Sequence, residues 1–343
     1  MFDIITIGSA TMDIFFETDL SSAPWDTPLG HALVIPLGEK FTAIRSQITS
    51  GGNAINTSIT FARQGLRVAV VAKLGCDVPG EMIYSRLRKE GVSNKLIIKD
   101  EKNPTSRSAV LLHHGERSII TYQGAGSALS LRDFDFHKMK AMWWYVSLAG
   151  DSYKLFPVIA KQSRTMGVKL AVNPTMRHIR EGRKQLIANL KYVDFLVLNE
   201  GEAAELAGIP FSNENEEKIF QIIDKLAPGI CAITRGSNGS TISDGKYLYK
   251  AGIFKEKKME DRTGAGDAYG AGFIAGLIRS KEQCVRLNFD PQKIQYAIRL
   301  ASANAFSVVV KIGASENALY KKDFDNIAIF KKFKIDVAKF TNE

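Results

Sequence analysis

Residues 153–207 read YKLFPVIAKQSRTMGVKLAVNPTMRHIREGRKQLIANLKYVDFLVLNEGEAAELA. An amphipathic run over 153–166 leads into a short apolar run over 168–172. A second apolar run, 195–198, opens directly into a helical stretch over 200–207. Short continuous apolar runs next to helical periodicity are the mark of strands buried on both faces. The pattern extends outward in both directions. Strand-like runs lie at 2–8, 67–73, 144–148 and 230–234, and helical stretches at 53–64, 80–90 and 214–226. This alternation predicts an α/β fold with a mostly parallel central sheet between two helical layers. Ligands in such sheets bind beyond the carboxyl ends of the strands.

Two regions break the alternation. Residues 14–48 contain no convincing helix, only strand-like pieces at 32–36 and 41–46 between Pro and Gly turns. Residues 107–122 read as a hairpin, with strands at 108–113 and 118–122 and a turn at Gly115-Glu116. A small separate sheet would hold both regions, and standing over the strand ends it would be a lid. The expected organisation is an α/β core of 1–13, 49–104 and 123–343 with a β-sheet lid of 14–48 and 105–122.

The bulk properties are those of an ordinary globular protein. The 343 residues are 45% hydrophobic and 24% charged, enough for one large α/β domain or two smaller ones. Cys76, Cys231 and Cys284 are far apart and form no CxxC pair, which argues against a zinc site or a disulfide framework. Residues 1–8 read as an apolar strand rather than a basic leader, and no apolar run is long enough to span a bilayer. The expectation is a soluble cytoplasmic protein without a membrane partner. The net charge of +10 is spread out. Its densest run, 255–258, is broken by Glu256, and a second cluster comprises Lys321, Lys322, Lys331, Lys332 and Lys334. Nucleic-acid binding would concentrate the charge and interleave aromatics. Solvated surface, or a modest field that collects polyphosphates, fits better.

The strongest chemical signal is Asp261-Arg262-Thr263-Gly264-Ala265-Gly266-Asp267, running into a small-residue helix that continues to about residue 278. The backbone N–H groups of Gly264, Ala265, Gly266 and Asp267 would converge at a helix N-terminus and bind an anion. A carboxylate in that place is a poor phosphate ligand. Asp267 makes sense as a base that takes a proton from an attacking hydroxyl. A plain loop-to-helix turn with an early acid is the alternative. A second signal, Gly51-Gly52-Asn53-Ala54-Ile55-Asn56, opens the helix at 53–64. Paired glycines let backbone approach a ligand, and Asn53 can both donate to and accept from hydroxyls. An ordinary Asn-capped helix is the alternative there.

These two motifs, in this order, resemble the two signatures of the ribokinase-like (PfkB) carbohydrate kinases. The resemblance extends along nearly the whole chain, through Gly8 to Asp13, the turn with Gly75, Asp77 and Gly80, Pro104-Thr105, the Gly115 hairpin, Asn173-Pro174, Asn199-Glu200-Gly201-Glu202, Thr234 to Gly239, and Gly313-Ala314. It implies a three-layer α/β/α kinase with a β-sheet lid. Asp13, Gly52, Asn53 and Asn56 would bind the acceptor. Asn199 and Glu202 would organise Mg2+ and the phosphates through water, and Thr234, Gly236, Gly239, Thr263 and Ser302 would line ATP. It also places a monovalent cation, K+ being the candidate, beside Asp261, Thr263 and Gly313. Glu202 has a second reading as a capping acid. Lids of this family often pair between subunits, which implies a homodimer through the lid.

The chain has neither a GxxxxGK[ST] loop nor the protein-kinase HRD and DFG set. Arg262 and Arg235 depart from the family pattern, and Arg262 would reach a nucleotide phosphate or face solvent. The expected acceptor is an unphosphorylated sugar. A nucleoside acceptor would need base-stacking aromatics such as Phe15, Phe16 or Phe41. A phosphosugar would need Lys40, Arg45 and Arg107 to converge inward.

Overall fold

The computed structural model describes residues 1–24, 31–113, 116–254, 260–280 and 289–340. Its main element is a nine-stranded sheet. From one edge to the other the strands are Ile335–Lys339, Tyr247–Ala251, Ser240–Ser243, Ile230–Thr234, Phe195–Asn199, Lys169–Val172, Ala141–Ser147, Phe2–Gly8 and Val68–Val71. The last six of these run parallel, and the first three pair antiparallel. The chain leaves Phe2–Gly8 for the edge strand Val68–Val71 and later returns to the other side of Phe2–Gly8, at Ala141–Ser147. That reversal opens a crevice between the carboxyl ends of Phe2–Gly8 and Ala141–Ser147.

Alternation of side chains builds two cores. Ile4, Tyr145, Ala171 and Val197 face helices Asn53–Arg63, Ala265–Arg279 and Pro291–Val309. Ile5, Trp144, Leu170 and Leu196 face helices Phe156–Thr165, Arg183–Leu190 and Glu216–Leu226. Both faces are therefore buried, which is why the parallel strands read as continuous apolar runs.

The second sheet has four strands, Glu116–Tyr122, Ser106–His113, Thr11–Glu17 and Arg45–Gly51, in that order. Its strands reach further into the core segments than the sequence suggests, because Thr11–Glu17 carries Asp13 and Arg45–Gly51 runs straight into Gly52. The pieces expected at 32–36 and 41–46 correspond to a short His31–Leu33 strand and to the start of Arg45–Gly51. The turn at Gly115, the lysine run 255–258 and Cys284 lie outside the described residues.

Helix starts differ from the sequence reading for local reasons. Val78–Lys89 begins early because Asp77 accepts from the Gly80 N–H at 3.0 Å and Pro79 fits the first turn. The run 153–166 divides into a 3₁₀ turn, Gly150–Leu155, and a helix opened by Pro157. The helices Met176–Glu181 and Arg183–Leu190, split at Gly182, carry no clear amphipathic signal in the sequence.

Arg63, at the end of helix Asn53–Arg63, is buried and pairs bidentately with Glu90 through Nε and Nη2, at 2.9 and 2.7 Å. Its Nη1 also donates to the carbonyls of Ser315, Glu316 and Ala318. One guanidinium thus ties helix Asn53–Arg63 to the segment that follows Gly313. Removing one partner of a buried ion pair leaves the other charge uncompensated. Arg63→Met is expected to lower the unfolding free energy by about 3–5 kcal/mol, measured by urea denaturation.

Candidate active site

Helix Ala265–Arg279 is made of small residues because it must approach helix Pro291–Val309 closely. A Cβ on Gly272 would lie 2.8 Å from the Ala301 Cα, and one on Gly276 would lie 2.5 Å from the Ala297 Cα. At its N-terminus Gly264 takes φ +80 and abuts Ala314, a conformation and a space that favour glycine. The N–H groups of Ala265, Gly266 and Asp267 fall in the first turn, where an α-helix leaves its donors without intrahelical acceptors.

Asp267 is half-buried within this turn. Its carboxylate accepts from Asn56 Nδ2 at 2.9 Å. Burial raises its pKa to about 7, the Asn56 hydrogen bond opposes the rise, and the nearby Glu202 carboxylate adds to it. The Asn56 contact joins residues 211 positions apart. It brings the start of helix Asn53–Arg63, just after the Gly51-Gly52 pair, against the Gly-rich turn.

The Gly51-Gly52-Asn53 loop lies at the sheet's switch point. Gly52 takes φ +90, and a Cβ there would sit 2.6 Å from the Ser9 carbonyl oxygen. Asn53 Nδ2 donates to Ser147 Oγ at 2.8 Å, and its own N–H donates to Ser9 Oγ at 3.1 Å. Ser9 and Ser147 follow or end the two strands that frame the crevice. Asp13 is buried beside Gly51, where a Cβ would overlap its carboxylate, and it accepts from Ser108 Oγ on the small sheet. Burial raises the Asp13 pKa to about 6, the Ser108 hydrogen bond opposes the rise, and the Asp261 carboxylate adds to it.

Asn199 and Glu202 form a reciprocal capping box: Asn199 Oδ1 accepts from the Glu202 N–H, and Glu202 Oε2 accepts from the Asn199 N–H, each at 2.9 Å. The capping geometry is therefore present. It commits one Glu202 oxygen, and burial raises the pKa of the group. Thr234 pairs in register with Asn199 on the neighbouring strand, with Gly236 and Gly239 following at φ +53 and +84. Ser302 is buried in Pro291–Val309. Asp261 is buried, and its Oδ1 accepts from the N–H and Oγ1 of Thr263 at 2.9 and 2.6 Å. Its Oδ2 accepts from the Gly313 N–H at 3.3 Å.

Several cations named in the sequence are engaged elsewhere. Arg107 turns away from Asp13 to pair with Asp77 at 3.1 Å, and Arg45 pairs with Glu17 and Glu260. Arg235 is held by Glu200, Glu216 and Asn213. Arg262 is half-exposed and lies 3.7 Å from Glu116 of the small sheet. Phe15 is packed with Val110, Leu112 and Ile312, and Phe41 is exposed. The C-terminal lysines are exposed. Ser9, Ser108 and Ser147 escape the sequence reading. Ser147 alone leaves a trace, as the polar residue within the apolar run 144–148, and it pairs in register with Gly8.

The described residues include no helix long and apolar enough to cross a membrane and no three-residue acidic, His or Cys cluster suited to a metal. The chain matches the pfkB family carbohydrate kinase model over residues 3–320. It is 26% identical to the ribokinase of Haemophilus influenzae, over 84% of this chain and 91% of that one. It is 23% identical to the cytidine kinase of Thermococcus kodakarensis, over 84% and 94%. The structure of Arabidopsis thaliana ribokinase complexed with ribose and ATP superposes with a TM-score of 0.75 at 23% identity, over 96% of this chain and 99% of that one. With a Gly-rich turn at a helix start, a helix-borne carboxylate and a family match over nearly its whole length, the chain belongs to the pfkB carbohydrate kinases and is an ATP-dependent kinase of the ribokinase fold.

Proposed function

We propose that the protein phosphorylates a hydroxymethyl group of a small unphosphorylated sugar, with Asp267 as the base. The Asn56–Asp267 hydrogen bond carries this reading, since it joins the polar acceptor crevice to the anion turn. Asp13 accepts hydrogen bonds from acceptor hydroxyls, and Asn53, fixed by Ser9 and Ser147, both donates and accepts. The reacting hydroxyl lies against Asp267, whose pKa near neutrality suits proton removal. The N–H groups of Gly264, Ala265, Gly266 and Asp267 stabilise the charge on the transferring phosphoryl group. Thr234, Gly236, Gly239, Thr263 and Ser302 line the nucleotide. The four-stranded sheet acts as the lid, bringing Ser108 to Asp13. The enzyme works in the cytoplasm, in keeping with the free thiols of Cys76 and Cys231.

Mg2+ would be held through water by Asn199 and Glu202, and it neutralises phosphate charge when bound. The lone carboxylate of the capping box fits a cation that keeps most of its waters. K+ would sit at Asp261, whose buried carboxylate meets N–H and hydroxyl donors. Thr49 Oγ1, buried without a partner beside Gly313, adds an oxygen ligand.

An acceptor phosphate finds no inward cluster of Lys40, Arg45 and Arg107, and Phe15 is committed to packing rather than to stacking a base. In a competition assay with ribose, fructose, adenosine and fructose 6-phosphate, a free sugar is expected to turn over fastest. Faster turnover of fructose 6-phosphate or adenosine would move the enzyme to the phosphosugar or nucleoside branch.

Asp267→Asn is expected to lower kcat by about 10²–10⁴-fold. It also has a stability signature. The folded pKa of about 7 lies above the ordinary 3.8, so the charged group costs stability as the pH rises from about 4 through 7. The Asn variant escapes that cost. It is expected to resist urea better than wild type at pH 8, by on the order of 1–2 kcal/mol after allowance for its open face. The two proteins should converge below pH 4, and an unchanged difference across that range would remove the pKa assignment.

The outer face of the lid carries Ile48, Ile14, Ala109 and Ile120 in one register row, with Ile48 and Ile120 54% and 66% exposed. A second copy of the chain is the proposed cover. Light scattering is expected to show a dimer that Ile120→Asp converts to monomer. A monomeric wild type would overturn the proposal.

A further inference from the structure

The hydroxyl of Tyr145 is buried beneath the catalytic turn. Tyr145 stands in the middle of strand Ala141–Ser147 at 1% exposure, with its ring edge-on to Phe61 at 5.8 Å. Its Oη presses on Gly270, where a Cβ would overlap it. Gly270 is one helical turn beyond Asp267, on the same side of helix Ala265–Arg279. Asp267 and Glu202 are both within electrostatic reach, and burial first, then these two carboxylates, keep the phenol protonated. This buried O–H meets no acceptor among the described residues. A second orphan belongs to Asn56, the residue that already touches Asp267. Asn56 gives its Nδ2 to the Asp267 carboxylate, and its Oδ1 is buried without a donor. One orphan donates, the other accepts, and the Asp267 carboxylate near both has lone pairs to spare. Leaving both unsatisfied is unfavourable, and three polar partners are what a buried water requires.

We propose that Tyr145 is a positioning residue for the base, its O–H holding an ordered water that gives one hydrogen bond to Asp267 and the other to Asn56 Oδ1. With Asn56 Nδ2, that water fixes the carboxylate at two points and stops its rotation, so a lone pair stays aimed at the acceptor hydroxyl. No proton leaves the phenol. Around Asp267 the facing polar groups are then Asn56 from helix Asn53–Arg63, Glu202 from helix Glu200–Ala207 and Tyr145 from the sheet.

The inference rests on Asp267 as the base, which Asp267→Asn tests by itself. Tyr145→Phe keeps the ring and its packing and removes only Oη. Its kcat is expected to fall roughly tenfold, the lower end for a hydrogen bond to a charged group. The KM for ATP and for the sugar should stay unchanged, and the midpoint of thermal unfolding should hold or rise. Gly270→Ala alone should destabilise the protein through its collision with Oη. Adding Tyr145→Phe should recover that stability but not kcat. Wild-type kcat in Tyr145→Phe overturns the inference while leaving the base reading intact. A fall in kcat accompanied by a raised KM or a lowered unfolding midpoint also overturns it, since that is a structural effect. Turnover retained by Asp267→Asn would bring down the base reading, and this inference with it.

Discussion

The close approach of helices Ala265–Arg279 and Pro291–Val309 is the constraint on which the rest of the site depends. Gly272 and Gly276 admit Ala301 and Ala297 almost to backbone contact. Such an interface has little freedom to slide, since interiors at this density transmit displacement rather than absorb it. The N-terminus of the first helix is thereby fixed relative to the sheet, and with it the donors of the anion turn. Preorganised dipoles of this kind need no rearrangement during reaction. The glycines therefore serve packing along the helix and a left-handed turn at its start, two demands met by one small-residue sequence.

Burying carboxylates is the second requirement. The raised pKa values of Asp13 and Asp267 come first from burial, to which repulsion from the neighbouring Asp261 and Glu202 carboxylates adds. Hydrogen bonds from Ser108, Thr263, the Gly313 N–H, Asn56 and the Asn199 N–H offset part of that repulsion.

The sequence discloses the parts of this arrangement that are local. Asp261 to Asp267 is legible because a Gly-rich turn, a helix start and an acid lie within seven consecutive residues. The parallel core is legible because burial on both faces leaves unbroken apolar runs. Contacts between distant segments are not legible. Nothing near Asn56 announces Asp267, and Arg63 looks like an ordinary basic residue at a helix end until Glu90 and the 315–318 carbonyls surround it. The lid edges also escape, since strand Thr11–Glu17 passes through the polar Asp13 without a turn signal. Tyr145 reads as one more aromatic in an apolar strand, because burial of its ring hides the position of its hydroxyl.

Asp13 belongs to the small sheet by backbone pairing, bonded in register to Thr49 and Ser108, although its carboxylate lies in the crevice of the large one. The small sheet and this carboxylate are thus one mechanical body. With Asp13 in the proposed acceptor-binding role, a tilt of that body would displace the carboxylate together with the sheet, so an ill-fitting acceptor that props the sheet open would also lose its hydrogen-bonding partner. Discrimination would then be exerted through leverage as well as through contact, with small differences in acceptor shape magnified along the arm of the sheet before they reach the reacting hydroxyl.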